Sequence, residues 1–349
     1  MNWNEKKGAS TFAIIVMASL AVIIAGCGNG SKSAETANTT SSIKWTANSV
    51  WPPNNYHSAG LTEFAKKAKE ATKGKVDITV KTAGVLGYKG PELLKAVRDG
   101  SIAVSDMLTS GVAEDELLFD IVTLPFLIQS FEEGKIFNDI ARPHFDKVAE
   151  QKWGQKILYT APWPAAGIWT KREIRSVADM KGLKTRTYDK NGALVIRAAG
   201  GTPYPLPFSE VHSSLSSNLI DSVLTSTPTA VDAKFWEVLQ FYAPFNVTMA
   251  TDLVTVNLAE FNKLDKASQE ILVKLGKDME AEMWQKVARL DREQEAICNR
   301  NGIKTIVPSK DFLNELSSIT KAIREDWLKK APPEAKIIVE EFNKKVGRK

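Results

Sequence analysis

The sequence predicts an α/β fold of two lobes, with a strand-rich segment returning the chain between them and one long helix bracing both. Three observations predict it. The folded part runs from about residue 43 to the end of the 349-residue chain and exceeds what one hydrophobic core organises. Within it, apolar runs of strand length alternate with helical patterns, the β-α-β order of sheets covered by helices. Near the end, Ala267–Asn301 contains almost no Gly or Pro over a length that no single lobe requires.

The N-terminus is of a different kind. Lys6 and Lys7 precede an apolar run, Phe12–Gly26, that ends in Ile24-Ala25-Gly26-Cys27. A short positive head, an apolar core and small residues before a cut site make a secretion signal. The run is too short for a comfortable membrane span, which needs about 20 residues. Ending on Ala-Gly-Cys, it resembles a bacterial lipoprotein signal, and the resemblance implies that Cys27 is lipidated and becomes the new N-terminus. Residues 28–42 carry no large apolar side chain and read as a polar tether. Removal of residues 1–26 takes away Lys6, Lys7 and Glu5, so the formal charge falls from +5 to +4. That balance, with both signs interspersed, does not indicate a nucleic-acid partner. With Cys27 modified, Cys298 is the remaining thiol, and it reads as a small buried hydrophobe.

Elements follow in order. Ile43–Ala47 reads as a strand and Tyr56–Lys73 as a helix, with Leu61, Phe64 and Ala68 on one face. Val76–Lys81 alternates at period two, Gly90–Asp99 is helical and Ile102–Leu108 is a short strand. This order predicts a parallel sheet. In the second half, Lys156–Thr160, Gly167–Lys171, Lys184–Tyr188 and Ser222–Thr225 read as strands. Asn191–Ala199 and Glu210–Ser216 read as helices between them, and Pro203–Pro205 is extended. Phe245–Val256 is strand-rich and can return the chain between lobes. Along Ala267–Asn301, apolar residues recur at three- and four-residue steps; at 1.5 Å per residue it spans about 50 Å, enough to cross both lobes. The boundaries expected are 1–26 for the signal, 27–42 for the tether, 43–163 with 252–291 for lobe I, and 164–251 with 292–349 for lobe II.

Catalytic motifs are missing. His57, His144 and His212 have neither the HExxH spacing of a metalloprotease nor a cysteine partner for zinc. The chain has no G-x-S-x-G elbow and no phosphate-binding G-x-x-x-x-G-K. An enzyme therefore has no support from sequence motifs, and no catalytic residue, metal or cofactor is expected.

The informative stretch is Val177–Pro228. Asp179-Met180-Lys181-Gly182-Leu183-Lys184-Thr185-Arg186, then Gly200–Glu210, then Leu219-Ile220-Asp221 closely resemble the solute-binding proteins of tripartite ATP-independent periplasmic (TRAP) transporters, the DctP-like family. Val97-Arg98-Asp99-Gly100 matches a further family segment, and the similarity extends over nearly all of the chain after the tether. The resemblance implies a periplasmic-binding-protein-like fold whose lobes, joined by crossing strands, close over one ligand in the cleft, and membrane transporter subunits as partners. It implies that Arg186 pairs with the ligand's carboxylate. A planar guanidinium on a strand, between Thr185 and Thr187, can grip a carboxylate with two parallel hydrogen bonds.

Two departures from the family pattern bear on the ligand. Many members carry a second arginine where Gly167–Lys171 reads Gly-Ile-Trp-Thr-Lys, and a Gln-Glu-Asn-Pro run where Leu224-Thr225-Ser226-Thr227-Pro228 stands. Both changes remove polar or charged contacts. Candidate replacements lie at predicted strand ends, where cleft loops emerge: Trp51, Trp163 and Trp169 as aromatic walls, Tyr88 after the second strand, Ser110 after the third, and Thr225 with Ser226 as hydroxyls. One arginine with aromatic walls suits a keto or aromatic monocarboxylate. The protein is thus expected to be extracytoplasmic and lipid-anchored, capturing a small organic acid for a TRAP-type transporter. Presentation of the ligand to a sensory receptor, or a lipid-anchored enzyme acting on organic acids, are the alternatives.

Overall fold

The computed structural model describes residues 42–348. The predicted signal, Cys27 and the tether up to residue 41 lie outside the described residues.

The chain opens with β1 (Ile43–Asn48), α1 (Tyr56–Ala71), β2 (Val76–Lys81), α2 (Leu93–Arg98), β3 (Val104–Leu108), α3 (Phe131–Trp153) and β4 (Gln155–Pro162). It continues through β5 (Gly167–Thr170), β6 (Lys184–Thr187), α4 (Lys190–Ala198), β7 (Thr202–Pro205), α5 (Val211–Ser216), β8 (Ser222–Thr225), α6 (Thr227–Asp232) and β9 (Phe241–Ala243). It ends with β10 (Thr251–Asn257), α7 (Leu258–Asn262), α8 (Lys266–Arg300), β11 (Lys304–Thr305), α9 (Lys310–Lys330) and α10 (Pro333–Lys345). The strands form two sheets, β2-β1-β3-β10-β4 in lobe I and β11-β9-β5-β8-β6-β7 in lobe II.

Local chemistry explains the element ends. Asn55 opens α1 by accepting from the His57 N–H, and Asp265 opens α8 by accepting from Ser268. Gly154 closes α3 in the left-handed conformation, where a Cβ would be strained. The predicted face of α1 is the one it buries, with Leu61, Phe64 and Ala68 inside. The long helix also forms, and its buried face includes Leu272, Gly276, Met279, Met283 and Val287.

The sheets are mixed rather than parallel. β10 runs antiparallel to both β3 and β4, and β5 runs antiparallel to both β8 and β9. The reason is topological. β4 and β9 each run toward the cleft, and the chain then crosses into the other lobe. A strand that enters a sheet from the cleft runs opposite to neighbours that end there. The two crossing segments are hydrogen-bonded to each other, Trp163 N–H to the Ala250 carbonyl and Ala166 N–H to the Thr248 carbonyl. At Gly167 they press so closely that a Cβ would lie 2.5 Å from the Ala243 carbonyl oxygen.

Each lobe has its own core. One face of the lobe I sheet packs Trp45, Phe64, Val104 and Leu158 against α1 and the first half of α8. The other face packs Met107 and Leu253 with Phe119, Phe137 and Phe145. In lobe II, Ile168, Leu183 and Leu224 pack with Phe312 on α9, and Trp169, Val223 and Phe235 pack with Cys298 near the end of α8. The helix α8 therefore contributes to both cores. Residues 292–349, assigned together to lobe II from sequence, divide in the structure. α9 starts in the lobe II core, while Ala335, Ile338 and Phe342 of α10 belong to lobe I beside Phe137.

A cleft with one buried arginine and an aromatic wall

The cleft lies at the strand ends of both sheets. From lobe I it is lined by Trp51 after β1, Leu108 at the end of β3, and Trp163 with Pro164 after β4. Lobe II supplies Arg186, Tyr188, Phe208, Thr225, Ser226 and Thr229, and the crossing segments supply Ala166 and Ala250. The empty space between them, counted to its mouth, is about 380 Å³.

Arg186 sits on β6, paired on one side with β7 and on the other with β8. It is only 5% exposed. Its Nε donates to the Leu206 carbonyl at 2.9 Å, and its guanidinium lies over the Tyr188 ring at 5.9 Å. Among the described residues it forms no ion pair and no second hydrogen bond. Burial lowers its pKa to about 10, so it remains a cation at neutral pH. A desolvated cation without a counter-ion is unfavourable, and a carboxylate from outside is its complement.

Close by, Asp189 caps α4 by accepting from Gly192 N–H at 2.7 Å. Burial first, and Asp120 second, raise its carboxyl to about 7. Its Oδ2 has no hydrogen-bond partner, nor do the Oγ atoms of Thr109, Ser110 and Thr187.

The aromatic wall is built on buried acids. Trp51 and Trp163 pack edge to face, with ring centroids 4.8 Å apart at 70°. Their indole N–H groups donate to the two oxygens of Asp252, at 3.0 Å and 2.7 Å. His57 stacks on Trp163 at 4.2 Å, and its Nδ1 is 3.5 Å from Asp252. Burial pulls the His57 pKa down to about 4, so its ring is neutral at pH 7. Ser49 donates to Asp106 at 3.2 Å. Ligand-type atoms of His57, Asp106 and Asp252 lie within 4.8 Å of one another. Both Asp252 oxygens already accept from indoles, however, and those N–H donors occupy the directions a cation would need.

The structure brings together some of the residues expected from sequence and not others. Arg186, Trp51, Trp163, Thr225 and Ser226 all line the cleft. Trp169 does not. It is wholly buried in lobe II, stacked on Tyr242 at 3.9 Å, and donates to the Thr225 carbonyl at 3.1 Å. It lies on β5 on the face opposite Ile168, and its ring turns into the core with Val223 and Phe235 instead of the cleft. Tyr88 is half-buried against the lobe I core, and Ser110 is buried beside Asp189; neither lines the empty space. Tyr188, Phe208 and the Asp106–Asp252 pair were missed. Tyr188 had a signal, since it lies two residues beyond Arg186 and shares its strand face. Asp106 and Asp252 had another, as acids inside otherwise apolar strand runs.

Two lobes joined by paired crossings, closing on an unpaired buried arginine, define a clamshell solute receptor. The chain belongs to the family of bacterial extracellular solute-binding proteins, family 7 (DctP), whose description matches residues 47–332. It is similar to the Bordetella pertussis extracytoplasmic solute receptor DctP7, which binds pyroglutamic acid. The two are 28% identical and superpose with a TM-score of 0.84, over 86% of this chain and 100% of that one. It is 25% identical to the 2,3-diketo-L-gulonate-binding periplasmic protein of Escherichia coli (strain K12), over 79% of this chain and 84% of that protein. It is 24% identical to the monocarboxylate 2-oxoacid-binding periplasmic protein of Nostoc sp. (strain PCC 7120), over 81% of this chain and 79% of that protein. Such proteins are receptors that bind solutes outside the cytoplasm.

Proposed function

We propose that this protein captures a small, flat monocarboxylate and delivers it to the membrane subunits of a TRAP-type transporter. The observation that carries the reading is Arg186, a buried cation without an ion pair among the described residues, opening onto a small space walled by Trp51, Trp163, Phe208 and Tyr188. One cation matches one carboxylate. The aromatic faces favour a planar body, and Thr225, Ser226 and Thr229 offer hydroxyls to its polar edge. A five-membered cyclic acid such as pyroglutamate fits these features, in keeping with the ligand of the Bordetella relative; a short 2-oxoacid is the next class. Capture requires no chemistry: closure gains contacts that the open state lacks, and so ligand shifts the equilibrium. Lipidation at Cys27 would hold the receptor at the membrane, a reading that rests on the Ile24–Cys27 sequence alone.

Calorimetric titration with pyroglutamate, pyruvate, 2-oxobutyrate and D-glucuronate tests this. We expect binding of at least one monocarboxylate. Arg186→Ala should abolish it, and Arg186→Lys should weaken it by roughly a hundredfold, since lysine cannot form the bidentate pair. A ligand bound equally well by Arg186→Ala would show that the clamp lies elsewhere.

A further inference from the structure

We infer that Asp252 is the positioning residue that makes this cleft selective for a flat ring, because each of its carboxylate oxygens holds the indole of one of the two tryptophans forming the lobe I wall. The inference rests on the capture reading above. Asp252 is completely buried at the start of β10, in register with Leu108 on β3 and Ala161 on β4. It therefore sits at the cleft edge of the lobe I sheet, behind the wall and not in it.

A buried indole N–H without an acceptor is penalised, so a ring supplied with one acceptor is confined to the orientation that reaches it. Asp252 does this for both rings at once and thereby fixes them edge to face at 4.8 Å. The surroundings keep the carboxylate in this role. Asp106 lies against it; burial first, and the Asp252 charge second, raise the Asp106 carboxyl well above the usual range. His57, neutral, backs the Trp163 ring. Ser49 donates to Asp106 and accepts from the Trp51 N–H at 3.4 Å, and Ser58 donates to the Trp51 carbonyl at 3.0 Å, so both hold the Trp51 backbone beside the acids. From the far side, Trp51 reaches Phe208 of lobe II at 6.0 Å. The width of the slot in front of Arg186 is thus set by a residue that does not touch the ligand.

The test compares pyroglutamate, a rigid flat ring, with 4-oxopentanoate, a flexible chain carrying the same carboxylate and a carbonyl. Both are titrated into the full-length protein and its Asp252→Asn variant. The Trp51–Trp163 exciton couplet is recorded by circular dichroism on the ligand-free forms. We expect Asp252→Asn to weaken the ring acid roughly tenfold, the order of one charge-assisted hydrogen bond. The chain acid should change less than about threefold, and the couplet should disappear. In a Trp51→Phe/Trp163→Phe background, whose rings need no acceptor, adding Asp252→Asn should cause no further loss. Equal weakening of both acids, additive losses in the phenylalanine background, or a preserved couplet would each overturn the inference. If the wild type binds neither acid, the ring-selectivity claim falls; if pyruvate and 2-oxobutyrate also fail to bind, the capture reading falls with it, and the couplet alone decides the positioning claim.

Discussion

Arg186 and Asp189 are three residues apart, yet burial treats them differently. The arginine keeps its charge, while the aspartate carboxyl is lifted to about 7. Below that pH Asp189 is neutral and Arg186 faces the cleft alone. Above it, a second charge offsets the arginine. Affinity for an anion should therefore fall several-fold between pH 6 and pH 8.5, a window in which a simple carboxylate ligand stays ionised. Stability follows the same sign. The unfolded carboxyl ionises near 3.8, so the contribution of Asp189 is complete below that pH and is lost as pH rises through about 7. Asp189→Asn keeps the helix cap and should flatten both profiles, measured by calorimetric titration and by thermal unfolding across the same buffers. A profile unchanged by the substitution would assign the titration to another group.

At the level of elements, α8 does what its length implies, and one residue permits it. Gly276 lies against β4 so closely that a Cβ would meet the Leu158 carbonyl oxygen at 2.0 Å. The obstruction is backbone and cannot swing aside. Gly276→Ala improves helix propensity by about 1 kcal/mol, but the overpacking it forces costs about 1–3 kcal/mol, and the short approach places it at the upper end. We expect a net loss of about 1–2 kcal/mol in denaturant unfolding, where propensity alone predicts a gain. The lost contacts are in lobe I, so a fall in ligand affinity at temperatures well below the transition would be small.

On the scale of the whole molecule, contacts reach across the cleft rim. Asn55, the cap of α1 in lobe I, donates to Asp232 of α6 in lobe II at 2.6 Å, and Lys89 faces Glu210 at 3.6 Å. These bonds exist only when the lobes are together, so they favour closure without touching ligand. Asp232→Ala removes the first while leaving the Asn55 cap intact. A smaller population of the competent state lowers apparent affinity in proportion. We expect a loss on the order of tenfold, carried mainly by faster release. Small-angle scattering should show a larger radius of gyration for the ligand-free variant than for the wild type. An unchanged release rate would mean that the rim contacts do not govern closure.

The sequence by itself determined the two-lobe α/β plan and the long helix. Each rests on information local in the chain, alternation of element types and a stretch without breakers, while attention to Arg186 came from the family resemblance of the segment around it. The sequence also placed Trp51 and Trp163 correctly at strand ends. What it could not determine depends on residues far apart in the chain. The strand directions of β5 and β10 follow from where the chain crosses, and the docking of α10 on lobe I follows from which core was left open. Trp169 looked equivalent to Trp163, six residues away, but it lies within β5 on the face that packs with Val223 and Phe235, whereas Trp163 follows β4 on a crossing segment. Sheet face and neighbours sent one ring into the core and the other into the cleft. The aromatic wall depends on Asp252, 201 residues from Trp51 and 89 from Trp163. Hydrogen bonds over such separations exist only once the lobe I sheet has brought the ends of β1, β4 and β10 together, and for that reason tertiary structure alone decided how the tryptophans face the cleft.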